Sequence, residues 1–267
     1  MHRIGVHMMA MWMVFISLLS VQQPTSAAEA TPPVSSSWFD ASFDELDALP
    51  AFSLIAPSGF TPTQDYISWG LGGISHVPGT SNHSKAAASL GLGLALPANF
   101  GIAFNIDLEG RGLSKRQELS VNMGKYLTSW DMGISLGSRN ITLWHDDGTR
   151  NTPSLYLAAT KILLLKDNLT IINVGIGNHD FRTIKDTAPS ASRAKALSPF
   201  VSLAYYPLPR LSLIADYTSG ITSLGIGVVP FTSWPFSLSL GVYDVTKAIP
   251  NHNKLSFIAT LSAAYTF

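Results

Sequence analysis

The sequence predicts an all-β fold, a transmembrane antiparallel β-barrel of about twelve strands, with a short N-terminal extension; ten or fourteen strands are the alternatives. Three observations carry this. Segments that alternate apolar with small or polar residues recur from Thr63 to Phe267. Charged residues are sparse, at 13% of the chain, where a soluble surface needs about twice that share. An apolar run near the N-terminus has the form of a secretory leader, and no later run approaches the ~18 apolar residues of a spanning helix.

The leader comes first. His2 and Arg3 precede the apolar stretch from Val6 to Val21, Gln22-Gln23-Pro24 breaks it, and Ala27, Ala28 and Ala30 offer small residues for cleavage. This predicts a signal peptide over 1–28 and an exported chain. Without cysteine the chain has neither disulfides nor a lipoprotein anchor. Removing 1–28 takes away one base and no acid, leaving 16 bases against 17 acids, so no basic field points to nucleic acid.

Residues 29–62 form a second region. Thr31-Pro32-Pro33 and Ser35-Ser36-Ser37 lead into Trp38–Leu49, where Phe39, Phe43 and Leu46 recur at helical spacing among Asp40, Asp44, Glu45 and Asp47. Pro50, Pro57 and Pro62 exclude a long regular element after that. The segment is read either as a lumen plug or periplasmic docking piece, or as an unordered linker.

Residues 63–267 form the barrel. Strands are predicted at Gln64–Ser75, Lys85–Leu96, Phe100–Glu109, Gln117–Leu127, Asp131–Trp144 and Ser154–Leu163. They continue at Leu169–His179, Pro199–Tyr206, Arg210–Thr218, Ile221–Val229, Phe236–Asp244 and Leu255–Phe267. The third is the cleanest: Phe100, Ile102, Phe104, Ile106 and Leu108 oppose Gly101, Ala103, Asn105, Asp107 and Glu109. The last sets Leu255, Phe257, Tyr265 and Phe267 against Ser256, Ile258, Thr260 and Ser262, so Ser256 is expected to tolerate an arginine that Phe257 does not. Connections after even strands are short and Pro-rich, and most of those after odd strands are long and polar. That asymmetry matches short periplasmic turns and longer external loops. The inner face is Gly, Ser, Ala, Asn and Thr rather than Lys and Glu, which excludes a soluble sandwich and suits a narrow lumen. Trp69, Trp130, Trp144, Trp234, Tyr265 and Phe267 lie near segment ends, as interfacial girdles do.

Several patches resemble a known family. They are Pro57-Ser58-Gly59-Phe60, Tyr156–Leu163, Val174-Gly175-Ile176-Gly177-Asn178, Leu213-Ile214-Ala215-Asp216-Tyr217, Leu224-Gly225-Ile226, Pro230-Phe231 and Pro235. Together they resemble uncharacterised outer-membrane β-barrels of the cyanobacterial type and, more loosely, YjbH-like barrels associated with exopolysaccharide export. The resemblance implies outer-membrane location and lumenal charges at Asp216 and Lys161. It further implies that Tyr265 and Phe267 serve as a signal to the barrel-assembly machinery. Alternation agrees at Asp216 and leaves the register of Lys161 open.

For chemistry, the candidates are the inward polar residues Lys85, Asn105, Asp107, Glu109, Arg139, Asn173 and Asp216. They form either a selectivity lining or a network of paired charges that props the barrel closed. No catalytic, cofactor or metal site is expected. Gly91-Leu92-Gly93 lacks the helix of a phosphate loop, the adjacent His145-Asp146-Asp147 does not converge on one ion, and His179 has no outward serine partner. The expected function is therefore a non-enzymatic pore or export-associated barrel carrying a small solute or polysaccharide. A closed scaffold is the main alternative and an outer-membrane lipid hydrolase a minor one.

Overall fold

The computed structural model describes residues 48–75, 84–109, 116–145, 152–166, 168–182, 197–248 and 255–267; the leader and most of 29–62 lie outside them. Alternation has one geometric consequence. Successive side chains of a strand point to opposite faces, so a chain of alternating segments can hide its polar face only by closing the sheet on itself. The twelve strands do so. They are β1 Tyr66–Ile74, β2 Lys85–Leu96, β3 Phe100–Glu109, β4 Arg116–Leu127, β5 Met132–His145 and β6 Ser154–Leu165, followed by β7 Asn168–Gly177, β8 Ser198–Leu208, β9 Leu211–Thr218, β10 Ile221–Val228, β11 Phe236–Tyr243 and β12 Ser256–Thr266. Each is antiparallel to its neighbours, and β1 pairs with β12 from Tyr66↔Thr266 to Ile74↔Ile258.

The predicted β2 and β3 bounds stand unchanged. The other ten shift by one or two residues at one or both ends, two of them for local reasons. β7 ends at Gly177, because His179–Phe181 forms a single 3-10 turn that folds inward. β8 runs through Pro207 to Leu208, although Pro207 lacks an N–H; the β8–β9 register shifts between Tyr205 and Leu208, where a strand tolerates proline. The β9–β10 hairpin is closed by Ser219 and Gly220, both at positive φ (59° and 79°), the backbone that a two-residue turn between right-twisted strands requires.

The outward face is apolar on every strand. Ile67, Leu92, Phe104, Met123, Leu136, Leu157, Val174, Leu203, Leu213, Leu224, Leu240 and Phe257 are all exposed. Such a belt on a closed barrel is a lipid-facing surface, since every strand edge is paired and no backbone group is left to the hydrocarbon. Aromatics flank it. Trp130, Trp234, Tyr265 and Phe267 are exposed at the end bearing the short turns, and Trp144 at the end bearing the long loops. Trp69 and Phe236 meet edge-on, ring centroids 5.7 Å apart, over the small Ala263 that pairs with both strands.

The glycines of the inner face have a specific use. Tyr66, Tyr156 and Phe200 point inward, and each lies over a glycine on the adjacent strand: Gly93, Gly137 and Gly175. A Cβ at those glycines would come within 2.0–2.3 Å of the ring. At these three positions aromatic bulk enters the lumen over a neighbour that has no side chain.

Candidate functional site

Residues 48–62 do not line the barrel from outside. They run through its lumen, as a strap. The pairings give the path. Tyr206 on β8 donates its hydroxyl to the Pro50 carbonyl at 2.9 Å, and Ser202 donates to Phe52 O at 2.7 Å. Ser212 on β9 donates to Ala51 O. Further along, Asn173 Nδ2 on β7 donates to Pro57 O at 2.9 Å, and Ser135 Oγ on β5 donates to Ser58 O at 2.7 Å. Gly59 N donates to Thr160 Oγ1 on β6 at 2.7 Å, and that hydroxyl donates onward to Asn173 Oδ1 at 2.7 Å. Phe60 then packs on Phe52 and Tyr126, and Pro62 reaches Gly101 of β3. The strap therefore leaves the short-turn end beside β8–β9, arches to mid-barrel, and returns along β7, β6 and β5 to β3.

The crown of the arch is held by one carboxylate. Asp216 Oδ2 on β9 accepts from the Ser53 hydroxyl at 2.7 Å and from the amides of Leu54, Ile55 and Ala56 at 3.2, 3.1 and 3.1 Å. Its Oδ1 accepts from Thr218 Oγ1 at 2.8 Å. Consecutive N–H groups converging on one oxygen make an anion-binding nest, and hydrogen bonds to a charged acceptor are about twice as strong as neutral ones. Ser53 Oγ also lies 2.9 Å from Ala56 O, so its one proton serves the stronger acceptor, the carboxylate.

Apart from the Ser53 hydroxyl, these strap atoms are main-chain atoms. Proline and glycine suit that role, with Pro50, Pro57 and Pro62 fixing φ in a segment that forms no ladder. Glycine is also needed for contact. A Cβ on Gly59 would lie 2.5 Å from Thr160 N, and one on Gly133 would lie 2.6 Å from Gly59 O. The strap side chains Phe52, Leu54 and Phe60 supply apolar packing, joined by Tyr126, Ile171, Tyr206 and Ile214 from the wall.

A second inward feature sits above the strap. Phe181 is buried against Tyr156 and Phe200, with ring centroids at 5.8 and 5.1 Å, and the strap's Ala56 completes the cluster. Its turn is pinned across the mouth. Ser154 Oγ accepts from Asp180 N at 3.2 Å, Asn140 Nδ2 donates to Asp180, and Ser219 Oγ donates to Asp180 O.

The candidate residues divide as follows. Asn173 and Asp216 meet at the strap. Arg139 faces the lumen but stacks its guanidinium over Phe181, 5.5 Å from the ring centroid. Asn105 and Asp107 lie on β3, away from the strap, with Ser120 Oγ 3.4 Å from Asp107. Lys85 begins β2 and Glu109 ends β3, but their side chains lie outside the described residues, as do Asp40, Asp44, Glu45 and Asp47, which precede the strap in sequence. Tyr265 and Phe267 point outward at the short-turn end. Lys161 is not lumenal. Ser154, Tyr156, Ala158 and Thr160 are the buried face of β6, and Lys161 turns outward to donate to Trp130 O at the rim. Ser135, Thr160, Ser202, Tyr206 and Ser212 were not singled out from sequence; their only signal is an inward hydroxyl.

No family model matches the chain, and no curated protein matches it. These comparisons lend no support to the YjbH-like resemblance. Among solved structures, an outer membrane channel of Pseudomonas putida is 12% identical, with a TM-score of 0.48 over 79% of this chain and 100% of that one. Outer membrane phospholipase A of Escherichia coli is 11% identical, with a TM-score of 0.42 over 79% and 99%. OprB of Pseudomonas putida is 10% identical, with a TM-score of 0.35 over 76% and 93%.

Proposed function

We propose that this chain is a narrow, non-enzymatic outer-membrane pore, held mostly shut by its own N-terminal strap. The observation that carries the reading is the way the strap is held. Side chains from β5 to β9 bind its backbone, with Asp216 at the crown. A wall that spends buried hydroxyls and a carboxylate on one peptide has that peptide as its ligand. The short-turn end would face the periplasm, so the strap enters from that side. About twelve strands give a backbone diameter of roughly 24 Å, which a peptide and its side chains fill in part.

A closed scaffold is the second reading. What favours it is Phe181, which fills the same side of the lumen from the other end. The two readings separate in planar bilayers. A strapped pore gives small conductance steps as the whole chain and larger ones after deletion of residues 29–62. A scaffold stays silent in both.

A further inference from the structure

We propose that the strap and the Phe181 turn are coupled, so that displacing the turn at the long-loop end loosens the strap, which is threaded from the other end. The coupling needs no conduction and holds for a pore and for a closed scaffold alike. It makes the lumen a link between the two faces of the barrel.

Two ties join the pieces. The first is apolar. Ala56 is the strap's member of the buried cluster that also holds Tyr156, Ala158, Phe181 and Phe200. Phe181 is not part of the ladder; it enters the lumen from the turn His179–Phe181. Its ring occupies the space that Gly177 leaves, since the three atoms nearest to a Cβ built on Gly177 are all ring atoms of Phe181. Protein interiors are close-packed, so moving that ring takes contacts away from the cluster into which Ala56 packs.

The second tie is polar and runs along the end of β9. Asp216 accepts the Ser53 hydroxyl and the amides of Leu54, Ile55 and Ala56, and also accepts from Thr218. The next residue, Ser219, donates to Asp180 O in the turn. One stretch of backbone therefore holds the strap with one side chain and the turn with another. Ala56 lies on both ties, its methyl in the cluster and its amide 3.1 Å from Asp216 Oδ2.

The turn is poised to move. His179 has a positive φ of 46°, an unfavourable backbone for a residue with a side chain, and it persists only while the surroundings enforce it. The enforcing contacts are the Phe181 ring in its cluster and the hydrogen bonds to Asp180 from Asn140, Ser154 and Ser219 at the mouth. Coupling of this kind is reciprocal: the turn stabilises the seated strap by as much as the seated strap stabilises the turn.

The test uses the whole mature chain in lipid vesicles and reads the two ends separately. Gly177→Ala should push the Phe181 ring aside and speed proteolysis within residues 48–62 by roughly tenfold, within the range usual for coupled sites. In the other direction, Asp216→Ala should speed hydrogen exchange at the Phe181 and Arg182 amides, which donate to Asn178 O and His179 O, by a similar factor. Ala56→Gly keeps the amide on Asp216 and removes the methyl from the cluster, so in that background Gly177→Ala should have a smaller effect on the strap. Tyr66→Ala, in a separate cluster with Ala103 and Ala264, controls for general loosening and should change neither readout. Unchanged strap proteolysis in Gly177→Ala would overturn the coupling, as would unchanged exchange in Asp216→Ala. So would an equal acceleration by Tyr66→Ala, or an undiminished Gly177→Ala effect in the Ala56→Gly background.

Discussion

Ser53 and Asp216 are 163 residues apart in the chain and 2.7 Å apart in the lumen, where the Ser53 hydroxyl and the next three amides share one carboxylate oxygen. This fixes the crown of the strap to β9. Asp216→Ala removes the acceptor and leaves N–H groups buried without partners, at about 1–3 kcal/mol each. The strap should detach while the barrel persists. Limited proteolysis within residues 48–62 should become fast, and β circular dichroism should stay unchanged. A strap that remains protected in Asp216→Ala would contradict this role.

Close approach of two backbones gives an independent route to the same result. Gly133 and Gly59 touch, and a side chain on Gly133 meets Gly59 O at 2.6 Å and the Phe60 ring at 2.6 Å. Gly133→Val should therefore release the descending limb of the strap, seen as protease sensitivity near Gly59, without disturbing Asp216. Gly227→Val should act on the ascending limb instead, since its Cβ would lie 2.6 Å from Ala51 N and 2.8 Å from Ala51 O.

Much of the barrel was legible in the sequence. Alternation places Asn173 and Asp216 inside and bounds β2 and β3 to the residue. Lys161 was not legible, because Tyr156 on the same strand looks like an outward aromatic. It points inward over Gly137, a partner on another strand that a single-strand pattern does not contain. The strap's path was hidden for a related reason. The strap atoms held there are main-chain atoms, and they meet hydroxyls 77–161 residues away, on serines, a threonine and a tyrosine of ordinary appearance. Phe181 was missed because it follows the strand in a turn, where alternation carries no information.

The lipid-facing assignment makes a graded prediction. Leu92 lies within β2 on the outward face, and Phe257 is the second residue of β12, near the long-loop end. An arginine at Leu92 should cost about 2–4 kcal/mol in bilayer stability and one at Phe257 less, nearer 0–1 kcal/mol. Urea unfolding in lipid vesicles reads both; equal costs would mean that the belt is misplaced. Ser256→Arg is not the mild control that its inward register suggests, because Ser256 is fully buried and leaves no room for the longer chain.

Phe181 closes the strap's side of the lumen from the long-loop end. Phe181→Ala empties a buried aromatic site and should destabilise the barrel by about 3–5 kcal/mol if the site cannot collapse. In the strap-deleted barrel the same substitution should widen the conductance step further. No further increase would mean that Phe181 does not obstruct the path.

The central claim is that residues 48–62 occupy and obstruct the lumen. The most direct measurement is the single-channel conductance of the barrel lacking residues 29–62, before and after a synthetic peptide of residues 48–62 is added to each side in turn. The account predicts large steps that the peptide reduces from the short-turn side only, and a much weaker block when Asp216→Asn is also present. A deleted barrel without conductance, or one that the peptide leaves unchanged from either side, would contradict it.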